Sequence, residues 1–325
     1  MRISLGPCQF DWGKNFLKDF YRRMAFETPV DILYVGEVVC SKRQSLSPEE
    51  MVALAEELRG AGKEVVFSTL GLVMNAAEEE LLHRMAQAAR AGGWWLEAND
   101  MGGIAVGEGH PMVAGPHITT YNPETVTFLK RVGVRRVVFP VELSAQSMAD
   151  MIRRQEGAVA WEVFAYGKLP LTFSARCYTA RAFRFSKANC QFKCGDFPDG
   201  MTMRTQEGVP FLAINGTETM SHRVYNLVDD TQRLERMGVE VVRLSPQSRS
   251  MVEIIAVWHD RLNQRISGEE ALQRLLELNG GEPFCNGYFN GRPGLEFIEP
   301  QERPSEPETR LNPGILRGEE KNANR

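Results

Sequence analysis

Long apolar runs are missing from this sequence. No stretch reaches the ~18 residues that a membrane span needs, and the N-terminus, MRISLGPCQFDWGKNF, lacks the apolar core of a signal peptide. The expectation is a cytoplasmic protein in a reducing compartment, where clustered cysteines serve more often as metal ligands or catalytic thiols than as disulfides. An excess of charge of one sign is also missing. The 38 basic and 42 acidic residues leave a net charge of -4, which gives no electrostatic reason to expect a nucleic-acid partner. The usual catalytic signatures are absent as well. There is no H-E-x-x-H helix, no G-x-S-x-G elbow, no P-loop and no complete G-x-G-x-x-G. The five histidines, at 83, 110, 117, 222 and 259, show no pairing at ligand spacing. Each reads as a surface or satisfied core histidine.

What is present is an alternation of short apolar runs with amphipathic segments. ISL, DILYVG, EVVFSTL, WWLEA, MVAG, RRVVFPV, AWEVFAYG and VEVVRL read as strands. Helical patterns separate most of them. The clearest is SPEEMVALAEELRGAG, where Ser47 is the N-cap, Pro48 the first helical residue and Glu50 the far side of a capping box. Eight strands, most followed by a helix, predict an α/β chain folded as a TIM-barrel-like (β/α)8 domain; an open doubly wound sheet is the alternative. The predicted irregularity is a long loop after the seventh strand, from about Lys168 to Leu227. The expected division is one barrel domain over residues 1–299 and a disordered tail over 300–325, where Pro, Glu, Arg and Asn replace large apolar residues.

Cysteine is scarce but unevenly placed. Three of the six fall in CYTARAFRFSKANCQFKC, as Cys177, Cys190 and Cys194. Cys40 follows the strand DILYVG, so a barrel would put it on the same rim as the long loop. Four sulfurs there suit an iron–sulfur cluster or zinc, or the stretch is an ordinary basic loop with incidental cysteines. The wide C-x12-C-x3-C spacing suits the larger cluster. So does the run of cations at Arg176, Arg181, Arg184, Lys187 and Lys193, with no acid among them. Cys8 reads as a buried hydrophobe, and Cys285 is left open. Glu37, at a strand end, and Glu162, inside an apolar strand, are candidate pocket residues with Arg176, because an unpaired carboxylate is costly to bury. The alternative for Glu162 is a lumen salt bridge with Arg176 or Arg243.

EVFAYGKLPLTFSARC, Glu162–Cys177, resembles the signature of the collagenase-like peptidase family, U32. Further segments resemble one branch of it: Ser4–Pro7, Leu33–Arg43, Pro140–Ser144, Tyr166–Arg181, Val241–Gln247 and Cys285–Glu296. That branch implies a [4Fe–4S] cluster on Cys40, Cys177, Cys190 and Cys194. It implies anaerobic, oxygen-independent hydroxylation of a quinone precursor in ubiquinone biosynthesis, carried out as a heterodimer with a UbiU-like paralogue. The aromatic residues Phe10, Trp12, Tyr288 and Phe289 are candidates for that interface, or for packing at the barrel's ends. Peptidase activity is not expected. The alternatives are a non-catalytic electron-transfer or scaffold metalloprotein, or a relative acting on tRNA or peptides.

Overall fold

The computed structural model describes residues 1–43, 46–155, 157 and 159–302; the expected tail lies almost wholly outside them. Eleven strands form one sheet. They are β1 (Arg2–Leu5), β2 (Ile32–Gly36), β3 (Glu64–Ser68), β4 (Trp95–Ala98), β5 (Met112–Ala114), β6 (Val134–Val138), β7 (Ala160–Phe173), β8 (Met201–Arg204), β9 (Pro210–Asn215), β10 (Glu218–Asn226) and β11 (Val241–Leu244). Strands β1 to β7 pair in order, all parallel. β11 pairs in parallel with both β1 and β7 and closes the ring. The fold is a closed eight-stranded parallel barrel of the (β/α)8 kind, and its eight strands are the eight apolar runs of the sequence.

Helices cover the outside for the reasons their sequences suggest. At the helix Pro48–Gly60 the Ser47 hydroxyl accepts from the Glu50 amide at 3.2 Å, and the Glu50 carboxylate accepts from the Ser47 amide at 3.0 Å. Two amides that a helix start leaves unpaired are thereby satisfied. Leu54, Ala55 and Leu58 on its inner face join the layer between barrel and helices. A second, smaller cluster, including Ile32, Val66, Val113, Val138 and Val241, fills part of the lumen. Residues two apart on a strand point to the same side, so these valines and isoleucine share the interior with the polar residues described below.

The connection after the seventh strand departs from a simple loop. β7 runs for 14 residues. Its first half is a barrel strand, and its second half, from Tyr166 to Phe173, pairs antiparallel with β10. β9 and β8 extend that pairing into an arm, with β8 at its open edge. Among the described residues no helix is long and apolar enough to cross a membrane.

Candidate functional site

Strand ends decide where side chains meet. In the lumen, Arg243 of β11 donates from Nε to Glu162 of β7 at 2.6 Å and from Nη1 to Glu97 of β4 at 2.7 Å. Ser4 and Tyr34 donate to the two oxygens of Glu162 at 2.8 and 2.6 Å, and Ser68 donates to Glu97 at 2.6 Å. Arg136 donates to the Tyr34 hydroxyl at 3.1 Å and to Glu64 at 2.8 Å. The Arg243 guanidinium also lies 4.0 Å from the centre of the Tyr34 ring. Burial pushes the Glu162 carboxyl up, but Arg243 and Arg136 outweigh it and hold the group below its usual range. Of the sequence candidates, Glu162 is therefore half of a lumen ion pair with Arg243.

One layer nearer the C-terminal rim, the same strands supply a polar cavity. Moving two residues on from Ser4, Glu97, Glu162 and Arg243 gives Gly6, Asn99, Phe164 and Ser245, and all four line it. Gln9, His117 and the end of Arg243 also face this cavity, with Pro7 and Pro116 as apolar walls. Asn99 is held by bonds from its amide nitrogen to the Thr69 carbonyl at 3.1 Å and to Glu97 at 3.2 Å. Its oxygen sits so close to Gly115 that a Cβ there would come within 2.0 Å of it. That contact requires glycine. Burial and the neighbouring Arg243 depress His117 to about 3, so its ring is neutral.

Beside this cavity lies a second buried group. Arg43 donates to the Gln9 carbonyl at 2.5 Å and to the Asn215 side chain at 2.6 Å, and it stands 3.6 Å from Glu37. Asn215 in turn donates to Glu218 at 2.9 Å. Burial pushes Glu218 up to about 8, against the opposing effects of Asn215 and Arg43. Glu37 accepts from the amides of Val39 and Cys40 at 2.8 and 3.1 Å and so shapes the turn that carries Cys40. Arg176 is exposed on the arm. Glu37, Glu162 and Arg176 thus occupy three separate places.

Cys40, Cys177, Cys190 and Cys194 line one pocket beyond Arg43. Among the described residues, however, no group of three or more His, Cys, Asp or Glu side chains is disposed to hold a metal ion. This overturns the expected [4Fe–4S] cluster and the zinc alternative with it. The sulfurs are turned to other uses. Cys177 caps the helix Tyr178–Ala182, accepting from the Ala180 amide at 3.4 Å. Cys194 donates to Asp11 at 3.5 Å. Burial raises the Cys40 thiol above its usual range and pushes Cys194 up to about 11. Of the surrounding cations, Lys193 pairs with Asp196, just past the cysteine stretch, while Arg181 and Arg184 face solvent. Cys8 and Cys285 are both buried; burial holds the Cys285 thiol up at about 12.

Sequence reasoning did not single out Gln9, Arg43, Glu97, Asn99 or Glu218. A signal existed for Glu97, a charged residue inside the apolar run WWLEA, as Glu162 is in AWEVFAYG. Gln9 and Asn99 lie just past strand ends, where only the closed barrel brings them together.

A closed parallel barrel with a polar cavity at its C-terminal mouth defines a TIM-barrel protein whose candidate site lies on that rim. More narrowly, the chain belongs to peptidase family U32, whose family model matches residues 21–298. Solved structures similar to it include the U32 peptidase Mk0906, at 12% identity over 76% of this chain and 94% of that one, with a TM-score of 0.43. A variant O-GlcNAc hydrolase from Thermobaculum terrenum is similar at 11% identity over 86% of this chain and 63% of that one, with a TM-score of 0.44. The tryptophan synthase complex of a hyperthermophile, Pyrococcus furiosus, is similar at 12% identity over 86% of this chain and 97% of that one, with a TM-score of 0.42.

Proposed function

We propose that this U32 member is a UbiV-like protein, a subunit required for oxygen-independent hydroxylation of a ubiquinone precursor, acting with a UbiU-like paralogue. The observation that carries this reading is where the resembling segments fall. Ser4–Pro7, Leu33–Arg43, Tyr166–Arg181 and Val241–Gln247 each run through or just past the C-terminal end of a barrel strand, and Pro140–Ser144 follows β6. Cys285 bridges to Tyr225 on β10. The resemblance is thus concentrated on the rim, where TIM barrels carry function, rather than in the core that any such barrel needs.

The arm supports the paired state. Its outer strand β8 presents unpaired backbone groups, and Leu171, Met203, Val209 and Phe211 are exposed on the arm. An open edge with apolar residues is a place for another chain to dock. Of the aromatic candidates, Phe10 and Phe289 are buried, Tyr288 is half-buried against the core, and Trp12 packs against Phe20 at 5.0 Å. They serve the protein's own packing, so the arm is the better candidate surface. The test is anaerobic co-expression with a UbiU-like paralogue, followed by light scattering and a quinone-precursor hydroxylation assay without oxygen. A one-to-one complex that hydroxylates, with neither chain active alone, is expected. Full activity from either chain alone, or no complex in paralogue excess, rejects the proposal.

A further inference from the structure

Around the cysteine pocket, cations and apolar side chains share one surface, and contacts join its parts. Lys42, in the turn after β2, donates to the Lys187 carbonyl at 2.9 Å. Lys187 reaches the Met74 sulfur at 4.0 Å and the Ala175 carbonyl at 3.5 Å, next to Arg176. Phe192 and Lys193 line the same pocket as Lys42 and Lys187. The short helix Tyr178–Ala182 borders it, and Tyr178 and Arg181, three apart, share that helix's exposed face.

Two properties coincide on this surface. It is basic, although the chain as a whole is acidic. From Arg176 to Cys194 there is no acid. Among the described residues, none of Lys42, Arg176, Arg181, Arg184 and Lys187 forms an ion pair, whereas Lys193 is paired with Asp196. It is also apolar: Met74, Tyr178, Phe183 and Phe192 are 38, 44, 39 and 44% exposed. The backbone bears a cost there. Arg184, Gln191 and Phe192 take φ values of 61°, 55° and 49°, in the left-handed region that side chains of this size rarely adopt. Phe192 nonetheless remains nearly half in solvent. The partner that suits such a surface is anionic and accepts apolar side chains beside its charges. A nucleic acid stacks its bases on free ring faces, but Phe183 has Lys193 over its ring at 5.7 Å and Phe197 beside it at 6.0 Å. A lipid surface needs no free ring face and no fixed geometry. It needs exposed cations at the level of the headgroups and aromatic or apolar side chains next to them.

We propose that this patch docks the protein on an anionic lipid surface, with Lys42, Arg176, Arg181 and Arg184 at the lipid phosphates and the rings of Tyr178 and Phe192 in the interfacial layer. The contact is peripheral and reversible, and it requires no spanning helix; none is found among the described residues. The patch is separate from the edge strand β8 offered above to a paralogue. It is also independent of the hydroxylation reading and would stand if that failed, since it rests on this surface alone.

The test is flotation of the full chain with two kinds of vesicle, phosphatidylcholine alone and a two-to-one mixture of phosphatidylcholine and phosphatidylglycerol. The mixed vesicles are expected to bind roughly tenfold or more tightly than the neutral ones, and added salt should weaken that binding by screening. Each cation near an anionic surface contributes about a fivefold factor, so the double variant Arg181→Glu, Arg184→Glu should lose at least about twentyfold. Both side chains are exposed, and its melting temperature should match the parent's. Phe192→Trp reports insertion of the ring: its emission should shift to the blue and be quenched by brominated acyl chains on mixed vesicles. Equal binding to both vesicles, no binding to the mixed ones, or unchanged affinity in the folded double variant overturns the proposal. So does a vesicle-bound Phe192→Trp protein whose added fluorescence is not quenched. A single-stranded RNA oligonucleotide that binds more tightly than the mixed vesicles would assign the patch to nucleic acid and overturn it too.

Discussion

The barrel mouth and the cysteine pocket are neighbours on one rim, and they are built in opposite ways. Around Arg243 the polar groups come from β1, β2, β4, β7 and β11, and their bonds to one another are short. Each side chain is fixed by a strand whose register the closed ring enforces. Around Cys194 the groups come from a turn after β2 and from irregular backbone in the arm, where Gln191 and Phe192 adopt positive φ values of 55° and 49°. Their bonds are local or weak, such as those of Cys177 to Ala180 and Cys194 to Asp11. Residues far apart in sequence are held together at the mouth, whereas residues close in sequence fail to form a common donor set in the arm. Proximity along the chain is a poor guide to convergence; shared strand register is a good one.

That contrast breaks most sharply under substitution of Arg243. Arg243→Met leaves Glu97 and Glu162 buried without their main partner, and a loss of about 3–5 kcal/mol in urea unfolding is expected. Adding Glu97→Gln and Glu162→Gln should recover part of it, because the uncompensated charge is gone. A loss below about 1 kcal/mol for the single variant would mean that the network contributes little to holding the barrel together.

Glu218 tests the seam between the two regions. The folded state keeps its proton up to about 8, while an unshifted carboxyl releases it near 4.5. The pKa is raised on folding, so the stability this group contributes is fully present below 4.5 and is lost as pH rises toward 8. The size of the loss is on the order of a few kcal/mol. Glu218→Gln keeps an acceptor for Asn215 and should flatten that part of the stability–pH curve. The same slope in parent and variant would assign it to other groups.

The smallest expected effect is in the arm. Cys194→Ser should cost less than about 1 kcal/mol, since one weak sulfur contact is lost. The thiol's raised pKa of about 11 predicts slow alkylation at pH 8 and a rate that keeps climbing through pH 10. A rate already at its plateau at pH 8 would show a thiolate there.

How much of this was legible in the sequence depended on the kind of signal. The barrel strands were, because each is a dense apolar run bounded by polar residues. The Ser47–Glu50 capping box was too. The same S-x-x-E pattern opens the helix Gly268–Leu278, where Ser267 accepts from the Glu270 amide at 3.0 Å, yet that helix is absent from the sequence reading. The arm strands were harder. MTMR and much of PFLAIN are exposed and lack a buried face of their own, although Asn215-Gly216 between β9 and β10 is a strong hairpin signal. The spacing of Cys177, Cys190 and Cys194 could not show where their sulfurs point, because that depends on backbone turns with no periodic signature. Arg243 and Glu162, 81 positions apart, meet through the parallel register of β7 and β11, which emerges only once the ring closes.

β7 has a consequence for motion. A single uninterrupted strand serves as a barrel stave at Glu162 and as the spine of the arm at Phe173. Between the two the strand is irregular: Gly167 takes a φ of 123°, the register against β11 slips between Arg243 and Leu244, and that against β10 slips between Thr219 and Met220 and again between Met220 and Val224. A partner that pulls on the edge strand therefore acts on a continuous backbone whose other end lies beside the Arg243 ion pairs. Amide exchange along β7 should slow as one block from Val163 to Leu169, so that strain applied at the arm is felt in the lumen without any loop having to relay it.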